Sequence, residues 1–201
     1  MRFEKFYSFV AKTKNQMKSK LLGLVAIVLL SVTSCKKEEK SEAATAAEAP
    51  AVKENFYVEL TASAAKKDDF AVYFTEDSTN DFDGKNAVWH GIAGDNKQET
   101  IVFDLPVSAT PTNLRMDFGL NKDQETVEIY NIKMSFLGQE KNIKGSEFFN
   151  YFIKDENFKT EIDSAKGTMR IAKQGAEFKT PYFYPRQELI DAVKNLINPA
   201  Q

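Results

Sequence analysis

The stretch Thr126-Val127-Glu128-Ile129-Tyr130-Asn131-Ile132-Lys133-Met134-Ser135-Phe136-Leu137 decides the fold. Val127 and Ile129 alternate with Glu128 and Tyr130. The apolar parity then shifts, and Ile132, Met134 and Phe136 resume the alternation on the other count. A period of two over this length describes a strand with one buried face, and the extra residue at Tyr130-Asn131 predicts a bulge. The same period appears at Phe56/Val58/Leu60, Phe70/Val72/Phe74, Ile101/Phe103/Leu105 and Leu114/Met116/Phe118. Further strands are expected over Lys141 to Ile143, Thr168 to Ala172 and Ala176 to Lys179. Turn residues separate the runs: Asp83-Gly84, Gly94-Asp95-Asn96, Pro106, Pro111, Asn121 to Asp123 and Gly138. Many short strands with turns between them predict an all-β antiparallel sandwich, one domain over residues 55–201.

Two short helices are expected to interrupt the strands. Ser146 can cap a turn through Phe148, Phe149, Phe152 and Ile153, whose aromatic face would plug one end of the sandwich. After Pro185, Leu189, Ile190, Val193, Leu196 and Ile197 form an apolar stripe opposite Gln187, Glu188, Asp191, Lys194 and Asn195. That stripe can pack on its own domain or dock a partner.

Upstream of the domain the composition changes twice. Residues 41–53 contain no aromatic and nothing apolar larger than Val, too little to offset the entropy of ordering, so 35–54 reads as a flexible tether. Before it, Lys18 and Lys20 precede the unbroken apolar run Leu21 to Leu30, followed by small residues and Cys35. A basic segment, an apolar core of about a dozen residues and a small-residue end make 1–34 a signal peptide, too short to span a bilayer comfortably. Met17-Lys18-Ser19-Lys20 would be an ordinary start for it, which makes Met17 the expected first residue of the translated protein.

Val32-Thr33-Ser34-Cys35 resembles the lipobox of bacterial lipoproteins, in which the Cys receives a diacylglyceryl thioether before cleavage. The resemblance implies lipidation at Cys35 and a membrane as partner, and two or three acyl chains anchor stably where one does not. Lys36-Lys37-Glu38-Glu39-Lys40, with no Asp after Cys35, is similar to the signal that carries lipoproteins of some bacteria to the outer face of the outer membrane.

Charge and chemistry narrow the function. The first 34 residues hold six basic residues and one acidic, so of the chain's 27 Lys+Arg and 29 Asp+Glu the remainder keeps 21 and 28. An acidic surface repels phosphate backbones, so no nucleic-acid partner is expected. One Cys and one His leave no intrachain disulfide, Cys-rich zinc site or multi-His metal centre within this chain. His90, in Val88-Trp89-His90-Gly91, has no nucleophile turn to serve, and no enzyme activity is expected. Asp77-Ser78-Thr79-Asn80-Asp81-Phe82-Asp83-Gly84 alternates oxygen ligands, but a calcium loop begun at Thr79 would end on His90 where a bidentate Glu is needed. A polar turn accounts for it better, and no cofactor is expected.

Aromatics on the outward parity are the remaining chemistry. Tyr57 and Tyr73 oppose the apolar sets of their strands, Arg115 and Asp117 do the same on theirs, and Trp89 is the single Trp. Sugars stack their C–H faces on aromatic planes while polar side chains fix their hydroxyls, so Trp89, Tyr73, Tyr57, Arg115 and Asp117 are expected to share one glycan-binding surface. The bland account makes Trp89 a core anchor and the tyrosines cover for a sheet edge.

The order of Asn55 to Ala64, Phe70 to Phe74, Val88-Trp89, Thr100 to Pro106, Leu114 to Gly119 and Val127 to Met134 resembles the jelly-roll carbohydrate-binding modules of the galactose-binding-like superfamily. It covers residues 55–137. Those modules usually place Asp where Tyr130 stands, a residue often belonging to a structural calcium site, so the resemblance does not extend to calcium. It implies a polysaccharide ligand. The competing expectation is a structural or protein-interaction lipoprotein with an envelope protein as partner.

Overall fold

The structure is a computed structural model and describes residues 53–173, 177 and 179–199. The signal peptide, Cys35 and all but the end of the tether lie outside the described residues.

Among the described residues the expected alternation builds two antiparallel sheets with two short helices. The first sheet contains β1 (Tyr57–Ala64), β4 (Glu99–Asp104), β6 (Thr126–Phe136), β7 (Gln139–Lys144), β8 (Lys159–Asp163) and β9 (Thr168–Ala172). Its order is β4-β1-β6-β9-β8, with β7 also paired to β6. The second contains β2 (Asp68–Thr75), β3 (Ala87–Ile92), β5 (Asn113–Phe118) and β10 (Tyr182–Phe183), in the order β10-β5-β2-β3. The helices are α1 (Phe148–Tyr151) and α2 (Gln187–Ile197).

The inward residues of both sheets meet in one core. Val58 and Leu60 of the first sheet, Phe56 just before it, and Phe70, Val72, Met116 and Phe118 of the second are all buried in it. Each such side chain removed from water contributes about 1.5–3 kcal/mol, so shifting any of these strands by one residue would expose its whole apolar set.

The parity shift in β6 is a bulge. Thr61 of β1 faces Asn131 while Ala62 faces Ile129, which leaves Tyr130 as the extra residue. On the other side of β6 the same residue divides two partners: β9 pairs with Thr126 to Ile129, and β7 with Asn131 to Phe136. Gly145, directly after β7, packs where a Cβ would strike the Ile129 carbonyl, so the chain leaves this junction through a residue without a side chain.

The aromatic plug forms, but by a different local route from the one the sequence suggested. Ser146 lies inside a 3₁₀ turn, Gly145–Glu147, rather than at a helix N-cap, and Glu147 Oε2 accepts a hydrogen bond from the Lys144 N–H. Glu147 thereby reaches back three residues to satisfy the backbone donor that opens the turn, the role of the acidic residue in a capping box. The four-residue α1 follows. Phe148 stacks on Phe152 with centroids 4.4 Å apart and meets Phe183 edge-on at 5.1 Å. Ile153 escapes the plug and is exposed.

In α2, Leu189, Val193 and Leu196 are buried and Ile190 and Ile197 are half-buried. The stripe is spent on the helix's own domain.

Besides β3, which only the resemblance at Val88-Trp89 marked, two described strands were not expected. The β8 sequence Lys-Thr-Glu-Ile-Asp has one large apolar residue, Ile162, which is itself exposed. The two residues of β10 show an alternation only together with Tyr184, in the short span between Pro181 and Pro185. The strand expected over Ala176 to Lys179 falls partly outside the described residues; Glu177 and Lys179 are not in a strand.

Candidate functional site

The outward face of the four-stranded sheet assembles from its register. Asp117 faces Tyr182 of β10 on one side and Ala71 of β2 on the other, and Ala71 faces Trp89 of β3. One step along, Arg115 faces Tyr73, which faces Ala87. Tyr182, Asp117, Ala71 and Trp89 therefore form one row across four strands, roughly 14 Å wide at three strand spacings. Arg115 and Tyr73 begin the next. Ala71 is fully buried although it points away from the core, so its larger neighbours close over it.

Trp89 is 42% exposed, and its ring meets Tyr73 edge-on with centroids 6.0 Å apart. Tyr182 is 40% exposed at the other end of the row and meets Tyr184 edge-on at 5.8 Å. Between them Arg115 is surrounded by rings. Its guanidinium carbon lies 4.1 Å from the centroid of Tyr73, 5.2 Å from Tyr182, 5.4 Å from Phe82 and 5.7 Å from Tyr184. A cation within about 6 Å of a ring face is attracted by the ring quadrupole, so four aromatics hold one guanidinium.

Arg115 is also paired. Its Nε and Nη2 donate to Asp117 Oδ1 and Oδ2 at 2.9 and 2.8 Å, and the two side chains are only 14% and 6% exposed. Two of the five N–H donors are used in this pair, and the Tyr184 hydroxyl lies beside the guanidinium as a further acceptor. Burial pushes the Asp117 carboxyl above its ordinary range, and the bonds from Arg115 pull it down without winning. Burial also raises the Tyr73 hydroxyl, helped by the nearby Asp117 charge. For Arg115, burial works against the charge, but the Asp117 carboxylate holds the guanidinium more firmly protonated than usual. The net result is a nearly neutral aromatic face with hydrogen-bond donors at its centre.

No protein-family model, curated protein or solved structure matches this chain.

Of the residues expected to form the site, Trp89, Tyr73, Arg115 and Asp117 come together. Tyr57 does not. It faces outward as expected, but β1 belongs to the other sheet, where Tyr57 lies beside Asp104 and Ser135 with the Lys53 Nζ 4.6 Å from its ring centroid. Parity determines which face of a strand a residue occupies and is silent about which sheet the strand joins. Three residues of the face went unread: Phe82, Tyr182 and Tyr184. The alternation Tyr182-Phe183-Tyr184 between Pro181 and Pro185 was the available signal, with Phe183 buried and the tyrosines facing out.

The oxygen-rich loop is occupied with local turn bonds. Asp77 Oδ1 accepts from the Thr79 N–H and hydroxyl, and Asp83 Oδ1 accepts from the Lys85 N–H. No cluster of three or more His, Cys, Asp or Glu is placed to hold a metal among the described residues. His90 is exposed, with Nδ1 2.9 Å from the Gly91 carbonyl oxygen. A separate cavity of about 280 Å³ opens between the sheets near Phe118, Val127, Phe158 and Ile171, and none of the expected site residues lines it.

Proposed function

We propose that the protein is a surface-exposed outer-membrane lipoprotein that binds glycan without catalysis, through the face built by Trp89, Tyr73, Tyr182, Arg115 and Asp117. The exposure of Trp89 beside Tyr73 carries the reading, because a core anchor would be hidden from ligand. The exposed rings offer planes for sugar C–H faces, and the spare N–H groups of Arg115 suit hydroxyl oxygens. The Arg115–Asp117 pair cancels its own charge, which favours neutral over anionic sugars. This reading takes the sandwich as a jelly-roll module of the galactose-binding-like kind, held off the membrane by the tether and anchored at Cys35.

The test is a glycan array probed with the purified domain, followed by titration of any hit against the fluorescence of Trp89, the single Trp of the chain. Binding that shifts this emission and is lost on Trp89→Ala supports the reading. Absence of binding to every polysaccharide would move the function to a protein partner in the envelope. The anchor is tested separately: Cys35→Ala should abolish incorporation of labelled lipid and release the protein from the detergent phase.

A further inference from the structure

Among the described residues, five strands end a sheet or a branch of one: β4, β7, β8, β10 and β3. An open edge presents unpaired N–H and C=O groups, and proteins blunt such edges with charge, proline or brevity. Four of the five are blunted here. Glu99 and Asp104 bracket β4, Glu140, Lys141 and Lys144 lie on β7, and Lys159, Glu161 and Asp163 alternate along β8. Two residues between Pro181 and Pro185 make up β10.

The fifth, β3, has none of these devices. Its six residues Ala87-Val88-Trp89-His90-Gly91-Ile92 include no Asp, Glu, Lys, Arg or Pro. Trp89, His90 and Gly91 are exposed. Beyond the ladder to β2, no backbone group of Ala87–Ile92 makes a backbone hydrogen bond among the described residues. The nearest strand of the other sheet, β4, shares no ladder with it; the His90 ring meets Phe103 edge-on at 6.3 Å.

We propose that β3 pairs antiparallel with β3 of a second copy of this chain, joining the two four-stranded sheets into one of eight. An antiparallel edge is self-complementary under a two-fold axis, since each copy offers the same donors and acceptors to the other. An edge without charges meets no like-charge repulsion when it faces itself, whereas β4 paired with itself in full register would set Glu99 opposite Asp104. A two-fold axis perpendicular to the sheet keeps both outward faces on one side and brings the two Trp89 residues next to the join. The pairing rests on the edge alone and stands or falls independently of glycan binding. If both hold, one assembly presents two adjoining aromatic faces, and a long ligand gains avidity without any new contact.

Sedimentation velocity over a concentration series of Glu48–Gln201, the compact unit that contains every described strand and the whole core, tests the pairing. The mass should rise from one chain to two, and the backbone amides of Ala87–Ile92 should exchange more slowly as the two-chain species forms. Gly91 is exposed, and a Cβ there meets nothing nearer than Asp69 Oδ1 at 3.4 Å, so Gly91→Lys fits the monomer beside a carboxylate while placing a cation on the edge. That variant should stay a single chain at every concentration. A wild type that remains single throughout overturns the proposal, as does a two-chain species that survives Gly91→Lys. Should the variant fail to fold, the exchange measurement on the wild type decides: a two-chain species whose β3 amides exchange as fast as in dilute protein overturns it too.

Discussion

Asp117 accepts two hydrogen bonds from Arg115, two residues earlier on the same strand, at 2.9 and 2.8 Å. Residues two apart on a strand share a face, so the pair is set by the period of β5 and needs no loop to bring it together. Substituting Arg115→Met removes the cation from among Tyr73, Phe82, Tyr182 and Tyr184 and leaves a carboxylate buried without its partner. Stranding a fully buried charge costs about 3–5 kcal/mol, and the slight exposure of this pair brings the expected loss to about 2–3 kcal/mol. Thermal unfolding should show the midpoint falling by about 5–10 °C. An unchanged midpoint would mean that the pair is a solvated surface contact.

The sign of the Asp117 titration is open to a direct check. Its carboxyl is pushed up chiefly by burial, so the folded protein holds that proton at higher pH than the unfolded chain does. The stabilising effect of the bound proton is complete below the unfolded carboxyl's range and is lost as pH rises through the folded one. Asp117→Asn removes the titration. Wild type should therefore lose stability relative to this variant as pH rises through and above the ordinary carboxylate range, measured by urea unfolding at a series of pH values. A difference moving the opposite way would mean that the bonds from Arg115 outweigh burial.

Asp68 supports the turn that follows the site strand. It is buried, and its Oδ1 accepts from the N–H groups of Leu120 and Asn121 while Oδ2 accepts from Gln124 Nε2. Gly119, at φ 106°, passes so close to Asp68 Oδ2 that a Cβ would collide with it. Asp68→Ala strands those donors and should cost about 3 kcal/mol. Asp69→Ala, at the exposed neighbouring position, should stay within about 0.5 kcal/mol of wild type. Equal effects of the two substitutions in urea unfolding would remove Asp68 from this role.

What could be read from the sequence depended on the size of the apolar residues and the length of the run. The sets Phe56/Val58/Leu60 and Phe70/Val72/Phe74 made their strands visible, and the shifted parity at Tyr130 located the bulge because β6 is long enough to show the period on both sides of it. The charged edge strand β8 hides the same geometry, since neither of its faces is wholly buried. Trp89, Tyr73, Arg115 and Asp117 could be assigned to outward faces one strand at a time. Their meeting depends on the strand order β10-β5-β2-β3, which is set by long-range packing and leaves no local mark. Tyr57 carries the same local signature and ends on the other sheet.

That separation yields the sharpest test of the site. Tyr182 and Trp89 flank the row through Asp117 and Ala71, whereas Tyr57 lies across the core on the opposite sheet. Truncating a stacked aromatic at a binding hot spot costs about 2 kcal/mol or more, or about 30-fold in affinity. Tyr182→Ala and Trp89→Ala should each weaken binding of any glycan hit by about that factor. Tyr57→Ala should leave affinity within about twofold, since its ring is engaged with Lys53 on the other face. Isothermal titration of the three variants against one oligosaccharide reads the difference, provided each retains the wild-type unfolding midpoint. Loss of binding in Tyr57→Ala with Tyr182→Ala unaffected would move the ligand to the six-stranded sheet and discard the face built around Arg115.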